Sequence, residues 1–279
     1  MEIIGHGFIA DHARRYFGDR HPDTTLIAAG VSSVLVTDVS AFEREATLVY
    51  ETLRRCRAEG RTAVFLSTAS PGMYGAPDSP GTESGPVFPL TPYGKHKLAL
   101  ESVCATSGAR WLVLRLAHLV GAGQQRHQLM PSLIRQLLSG SITVHSGVAR
   151  DLLDITDMVR ILGFLRDDDV RGEVVNVASG RPVSIEDVVD GLEQRLGTRA
   201  ERSLVEMPTK RAVVSVAKLR ALVPAVDGFG FGPGYLSALL DRHVGALAAP
   251  AYQDLARQAP DPWLAASGQA GSDNLRERR

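Results

Sequence analysis

Tyr93 and Lys97, four residues apart in the run TPYGKHK, fall on one face and one turn of a helix if that segment is helical. An ammonium beside a phenol favours the phenolate, drawing a tyrosine pKa down from about 10 toward neutrality. Tyr93 could then pass a proton to or from a carbonyl or alcohol oxygen. Hydroxyls to polarise such a C–O group are at hand in Ser67-Thr68-Ala69-Ser70, directly after the apolar run Val64-Phe65-Leu66. The carboxyl end of a parallel strand is where such sites form. A second feature, Gly5-His6-Gly7-Phe8-Ile9-Ala10, follows a short apolar strand and opens a helical segment. Small residues there let the backbone approach a pyrophosphate, and the helix N-terminus supplies positive charge without a side chain. The same spacing also serves a tight strand-to-helix turn needed for packing alone.

The elements that must position these groups read as α/β. Strand-like runs at 2–4, 25–29, 62–67, 111–116 and 173–177 alternate, through residue 120, with helix-period segments, the pattern of parallel βαβ units. Residues 41–59 repeat apolar side chains at helical spacing (Phe42, Ala46, Val49, Leu53, Cys56) and Gly60 caps them. Residues 93–107 read the same way, and 75–92, rich in Pro, Gly, Ser and Thr, read as an ordered surface loop. Beyond Gly121 a helix at 130–138, a strand at 142–145 and a helix at 184–196 suggest a smaller α+β domain interleaved with the first. The expected division is 1–120 with about 150–180 for the dinucleotide, 121–149 and 181–247 for substrate, and a tail at 248–279.

Among 279 residues, 31 basic and 31 acidic side chains cancel, which argues against nucleic acid or an anionic membrane as partner. Cys56 and Cys104, the only cysteines, both fall in helical segments and suit a reduced, cytoplasmic protein. No apolar run approaches the roughly 18 residues of a bilayer span, and the first ten residues do not read as a secretory leader.

The stretches GHGFIA, LIAAGVSS, VFLSTASPGMYG, TPYGKHKLALE, LRLAHLVGAG, QLMPSLIRQLLSG, ARDLLDITDM, VVNVASG and VSVAKLRALVP come in one order. Over residues 2–235 the chain resembles the extended short-chain dehydrogenases/reductases, the NAD-dependent epimerase/dehydratase family of nucleotide-sugar enzymes. The resemblance implies a Rossmann-like parallel sheet with helices on both faces, an NAD or NADP cofactor, no metal, and a homodimer. It makes Ser70 the catalytic hydroxyl, Tyr93 the acid/base and Lys97 its tuner and ribose ligand. Gly5, Gly7, Phe8, Ile9, Ala28, Ala29, Gly30, Thr68 and Leu116 would line the cofactor with Tyr93 and Lys97. Arg150 would grip a substrate diphosphate, a task suited to its charged fork. His118 and Gln128 stand where asparagines are common, and with Ser70 and Arg150 complete the expected substrate contacts.

The sequence departs from that pattern in further places. Only about fifteen residues separate Ala10 from Leu26, so the adenosine side of the sheet is abbreviated and the residue that selects NAD or NADP is missing. Arg14 and Arg15 are either a solvated helix face or a 2′-phosphate site, the latter tilting the cofactor toward NADP. If the 2–4 and 25–29 strands are neighbours, the right-handed crossover rule dictates the face of the helix between them. Pro71 and Gly72 replace the Asp-Glu pair of sugar dehydratases, and Glu45 replaces a helix asparagine. The implied activity is NAD(P)H-dependent reduction of a nucleotide-linked keto sugar, for example a 4-keto-6-deoxyhexose. The other readings are a nucleotide-sugar epimerase, a ketoreductase of a non-sugar metabolite, and a non-catalytic dinucleotide sensor.

Overall fold

The computed structural model describes residues 1–36, 38–69, 73–75, 79–210 and 213–249. Its first half runs β1 (Glu2–Ile4), α1 (Phe8–Phe17), β2 (Thr24–Ile27), α2 (Val39–Glu59), β3 (Thr62–Thr68), α3 (Pro92–Thr106) and β4 (Arg110–Leu116). The second half runs β5 (His118–Val120), α4 (Leu129–Leu138), β6 (Ser141–Asp154), α5 (Ile155–Asp167), β7 (Glu173–Val177), β8 (Pro182–Ser184), α6 (Ile185–Leu196), β9 (Glu201–Lys210), α7 (Ala217–Leu222), a 3-10 turn (Pro224–Phe229) and α8 (Tyr235–Ala248). The expected tail lies, from residue 250 on, outside the described residues.

The first sheet is parallel throughout, in the order β1-β2-β3-β4-β7. Every residue of β3 is buried, as a continuous apolar run covered on both faces must be. Its side chains alternate between two cores. Val64 and Leu66 meet α1 and α5 through Ala13, Phe17, Met158 and Leu162. Ala63 and Phe65 meet α2 and α3 through Val49, Leu53, Leu100 and Cys104.

That alternation exposes an exception in topology. From β1 to β4 the chain steps across the sheet in one direction, so crossovers of one hand would put α1, α2 and α3 on one face. Helices α2 and α3 do share a face, but α1 lies on the opposite one against α5. The β1-α1-β2 crossover therefore has the opposite hand to the two that follow, against the strong preference for a single hand. No βα unit lies beyond β1 among the described residues, and only the short turn 18–23 leads from α1 back to β2. Strand β1 thus forms the rim, and Arg14 of α1 donates to the carbonyls of Ile3 (3.2 Å) and Gly5.

Strand β6 is longer than the 142–145 strand read from the sequence because it changes partner along its length. It pairs in parallel with β9 through 141–148, antiparallel with β8 through 149–151, and in parallel with β5 through 152–154. A second core gathers Met130, Ile134, Val188, Leu192, Leu240 and Val244 from α4, α6 and α8. Residues 217–231, expected with that core, send Leu219, Val223, Val226 and Phe231 into the first one instead. Asp154 joins the two halves. Its wholly buried carboxylate caps α5 through the Thr156 N–H (2.7 Å) and accepts from Arg242 and, at 2.9 Å, His243 of α8.

Candidate active site

Helix α3 starts at a built cap: Thr91 accepts from the Gly94 N–H (3.1 Å) and Pro92 occupies the first turn. This start puts Tyr93 and Lys97 on the buried face, 8% and 5% exposed. The Tyr93 hydroxyl is hydrogen-bonded to the Thr68 side chain at the end of β3. Of the three hydroxyls after Leu66, Ser67 donates to Glu101, which also holds Arg115 in a forked pair. Ser70 lies outside the described residues, as do Pro71 and Gly72.

The Lys97 ammonium donates to the Leu66 carbonyl (3.1 Å) and to Glu45 Oε1 (2.6 Å). Glu45, on the face of α2 that packs on the sheet, also accepts from the Val31 N–H (3.1 Å) and bonds His96 Nε2 (3.0 Å). The expectation that Lys97 draws the Tyr93 pKa down is overturned. Burial, then the Glu45 carboxylate, push the phenol above its ordinary value, and the Thr68 bond only partly opposes them. The lysine's charge is matched by a carboxylate, so no net positive field remains to favour a phenolate.

The glycine loop lies at the ends of β1 and β2. Gly5 has φ +120°, and a Cβ there would meet the Ala28 carbonyl oxygen at 2.4 Å, so only glycine fits. Open space surrounds the Cβ position of Gly7, the N-cap of α1, where no side chain caps the helix. Phe8 is buried in the first core and Ile9 packs against it. Ala28, Ala29 and Gly30 follow β2, whose strand ends two residues earlier than read because Gly30 turns at φ +129°. This cradle, open at Gly7 and closed at Gly5, fits a pyrophosphate. Both Arg14 and Arg15 are exposed, and Arg14 is also tied to the carbonyls at the end of β1.

On the substrate side, Thr68 pairs with Leu116 across β3 and β4, and His118 of β5 follows two residues on. His118 pairs with Leu152, two positions beyond Arg150 on the adjacent strand. Burial and then the Arg150 charge pull the His118 imidazole down to about 3. Arg150 bonds the Ala149 carbonyl (2.9 Å) and meets no carboxylate among the described residues. Gln128 instead closes the turn into α4, accepting from the Gln125 N–H at 3.0 Å. The Glu45–His96 pair was not singled out from the sequence; its signal was a carboxylate one helical turn before Val49 in the apolar stripe of α2.

Residues 8–178 match the NAD dependent epimerase/dehydratase family. The chain belongs to that family. It is 28% identical over 173 residues to GDP-6-deoxy-D-mannose reductase of Pseudomonas aeruginosa, covering 57% of this chain and 56% of that one. It is 31% identical over 157 residues to the uncharacterized UDP-glucose epimerase YtcB of Bacillus subtilis, covering 53% and 49%. The chain thus spans about half the length of these two relatives. With dTDP-6-deoxy-L-talose 4-dehydrogenase (NAD(P)(+)) of Kitasatospora kifunensis, identity is 25% over 229 residues, 77% and 72% of the two chains. The fold is shared with the structure of RMD from Pseudomonas aeruginosa complexed with NADPH, at TM-score 0.70, 23% identity and coverage of 88% and 99%. It is also shared with MoeE5 in complex with UDP-glucose and NAD, at TM-score 0.74, 20% identity and coverage of 88% and 96%. Among the described residues no helix is long and apolar enough to cross a membrane.

Proposed function

We propose that this family member is an NAD(P)H-dependent ketoreductase acting on a nucleotide-linked keto sugar, such as a 4-keto-6-deoxyhexose. The observation that carries the reading is the Tyr93 hydroxyl, buried against Thr68 at the carboxyl end of β3, in the sheet whose β1–α1 turn forms the glycine cradle. A bound reduced nicotinamide supplies hydride to the carbonyl carbon. Tyr93 gives its proton to the carbonyl oxygen, and Ser70 is the proposed hydroxyl that polarises it. Lys97 holds the catalytic helix to β3 through the Leu66 carbonyl. Arg150 and His118 are the proposed contacts of the substrate, the guanidinium on a diphosphate.

A reductase is favoured over an epimerase because β1 is a rim strand. A cofactor with less sheet beneath its adenosine half exchanges readily, which suits a reaction that consumes it and not one that must retain it. The exposed Arg14 and Arg15 support the lean to NADP. We place the dinucleotide on 1–120 with 150–180, the substrate against 121–149, 181–216 and 232–247, and a dimer contact on α2 and α3.

Titration of the protein into NADH and NADPH, followed by nicotinamide fluorescence, tests the reading. Micromolar binding lost in Gly7→Trp, with ketosugar-nucleotide turnover falling about a hundredfold or more in Tyr93→Phe, is the expected result. Binding of neither cofactor refutes it.

A further inference from the structure

We propose that the site grips its cofactor by the pyrophosphate and the nicotinamide half and leaves the adenosine in solvent, so that a reduced nicotinamide mononucleotide binds nearly as well as the dinucleotide. The inference deepens the reductase reading and rests on it. In an open sheet of this type a dinucleotide lies across the carboxyl ends of the strands, and its adenosine ribose is held by a carboxylate about 20 residues past the glycine turn. That carboxylate belongs to a strand on the outer side of the one that carries the turn. Here β1 has β2 on one edge and, among the described residues, no strand on the other.

The free edge is closed by a side chain. Ile4 turns its carbonyl to β2, where the Ala28 N–H donates to it (2.9 Å), so the Ile3 carbonyl points the other way, out of the sheet's edge. Arg14 of α1 takes that carbonyl (3.2 Å) and the Gly5 carbonyl, filling the place of a further strand. The route of the chain supplies nothing in its stead. Between α1 and β2 it passes through 18–23, and the Met1 ammonium donates to the Arg20 carbonyl. That turn, with Asp19 and Asp23, therefore lies at the amino end of β1, opposite the glycine loop. The carboxylates closer to the loop are engaged. Glu2 of β1 is held by Arg55 (2.6 Å), Arg61 (3.1 Å) and Thr25 (3.0 Å), and Asp11, in the first turn of α1, pairs with Arg14 at 3.4 Å. The pyrophosphate cradle is intact by contrast, with Gly5 at φ +120° and, at Gly7, open space and a helix N-terminus capped by no side chain. On the nicotinamide side the sheet continues through β2 and β3 to Thr68 and Tyr93.

Binding to the full chain, followed by nicotinamide fluorescence, decides this without any turnover. The ligands are NADH, the dinucleotide in which hypoxanthine replaces its adenine, and reduced nicotinamide mononucleotide, which lacks the adenylate altogether. NADH is used in place of NADPH so that no 2′-phosphate meets Arg14 or Arg15. The hypoxanthine dinucleotide should bind within about threefold of NADH, and the mononucleotide, which gives up a phosphate as well as the adenosine, within about tenfold. In saturation-transfer NMR with NADH, the nicotinamide protons should be labelled strongly and the adenine ring protons weakly. Gly7→Trp, or an excess of inorganic pyrophosphate, should weaken all three ligands, which locates them on the glycine loop. A mononucleotide more than about tenfold weaker than NADH, or a base change that costs more than about threefold, overturns the adenosine assignment and leaves the reductase reading intact. Adenine protons labelled as strongly as the nicotinamide protons do the same. Binding of none of the three, or binding that neither Gly7→Trp nor pyrophosphate weakens, overturns the reductase reading and the assignment with it.

Discussion

Replacing Gly30 by alanine should be among the costlier single methyl additions to this protein. The new Cβ would lie 2.3, 2.5 and 2.9 Å from Oε1, Cδ and Cγ of Glu45, and φ +129° is itself unfavourable for alanine. The backbone strain is worth about 1–3 kcal/mol. Glu45 cannot swing aside cheaply, because Val31, His96 and Lys97 hold it. Displacing it strands the Lys97 ammonium in the core, a loss of about 3–5 kcal/mol when one partner of a buried pair goes. Partial relaxation leaves about 4 kcal/mol as the expected cost, a large share of the 5–15 kcal/mol typical of a whole domain. Urea denaturation measures it. Gly245→Ala, on the exposed side of α8 with open space at its Cβ position, is the matched control and should gain up to about 1 kcal/mol. In a Glu45→Ala background, Gly30→Ala should fall back to the strain alone, about 1–3 kcal/mol. A Gly30→Ala protein within about 1 kcal/mol of wild type, or a penalty unchanged in that background, refutes the argument.

Three further outcomes follow from buried groups. Burial pushes the Asp154 carboxyl up, but the bonds from His243 and the Thr156 N–H with the Arg242 charge outweigh it and hold it down to about 2. Asp154 therefore adds stability, about 2 kcal/mol, that is complete above its unfolded value of about 3.9 and is lost as pH falls toward 2; acid titrations of Asp154→Asn should lack that loss. Glu101→Gln leaves Arg115 buried without its carboxylate and should cost about 3–5 kcal/mol in chemical denaturation, most of it recovered by adding Arg115→Met. Cys104, pushed up to about 12 by burial and then by Glu101, and Cys56, raised by burial, should react with a thiol reagent about a hundredfold more slowly folded than in urea.

The parts of the fold legible in the sequence are those whose pattern is local. The apolar run of β3 and the Phe42-to-Cys56 stripe of α2 locate their elements to within two residues, because burial on both faces or on one leaves a periodic trace. Strands β6 and β9 were less legible, since their register comes from partners far along the chain and β9 carries charged residues at 201, 202 and 206. The side α1 takes follows from α5, 150 residues away, and not from anything in the GHGFIA loop. Around the candidate site, Tyr93 and Lys97 were legible as a pair, but the sign of the field on the phenol was not. Their i, i+4 spacing is visible in sequence, whereas the carboxylate that cancels the lysine comes from another helix.

The rim position of β1 makes binding and local order one equilibrium. Three strand residues with a single paired edge, and a helix docked through α5, form a natural unit of partial opening, and that unit carries the glycine loop. A dinucleotide that needs the loop closed has its affinity reduced by the fraction of time the unit is open. Conversely, ligand at a hundredfold excess over its Kd should slow amide exchange across residues 2–17 by about a hundredfold, equivalent to about 2.7 kcal/mol. Amides of β3 and β4, central strands paired on both edges, should set the ceiling that this protection can reach.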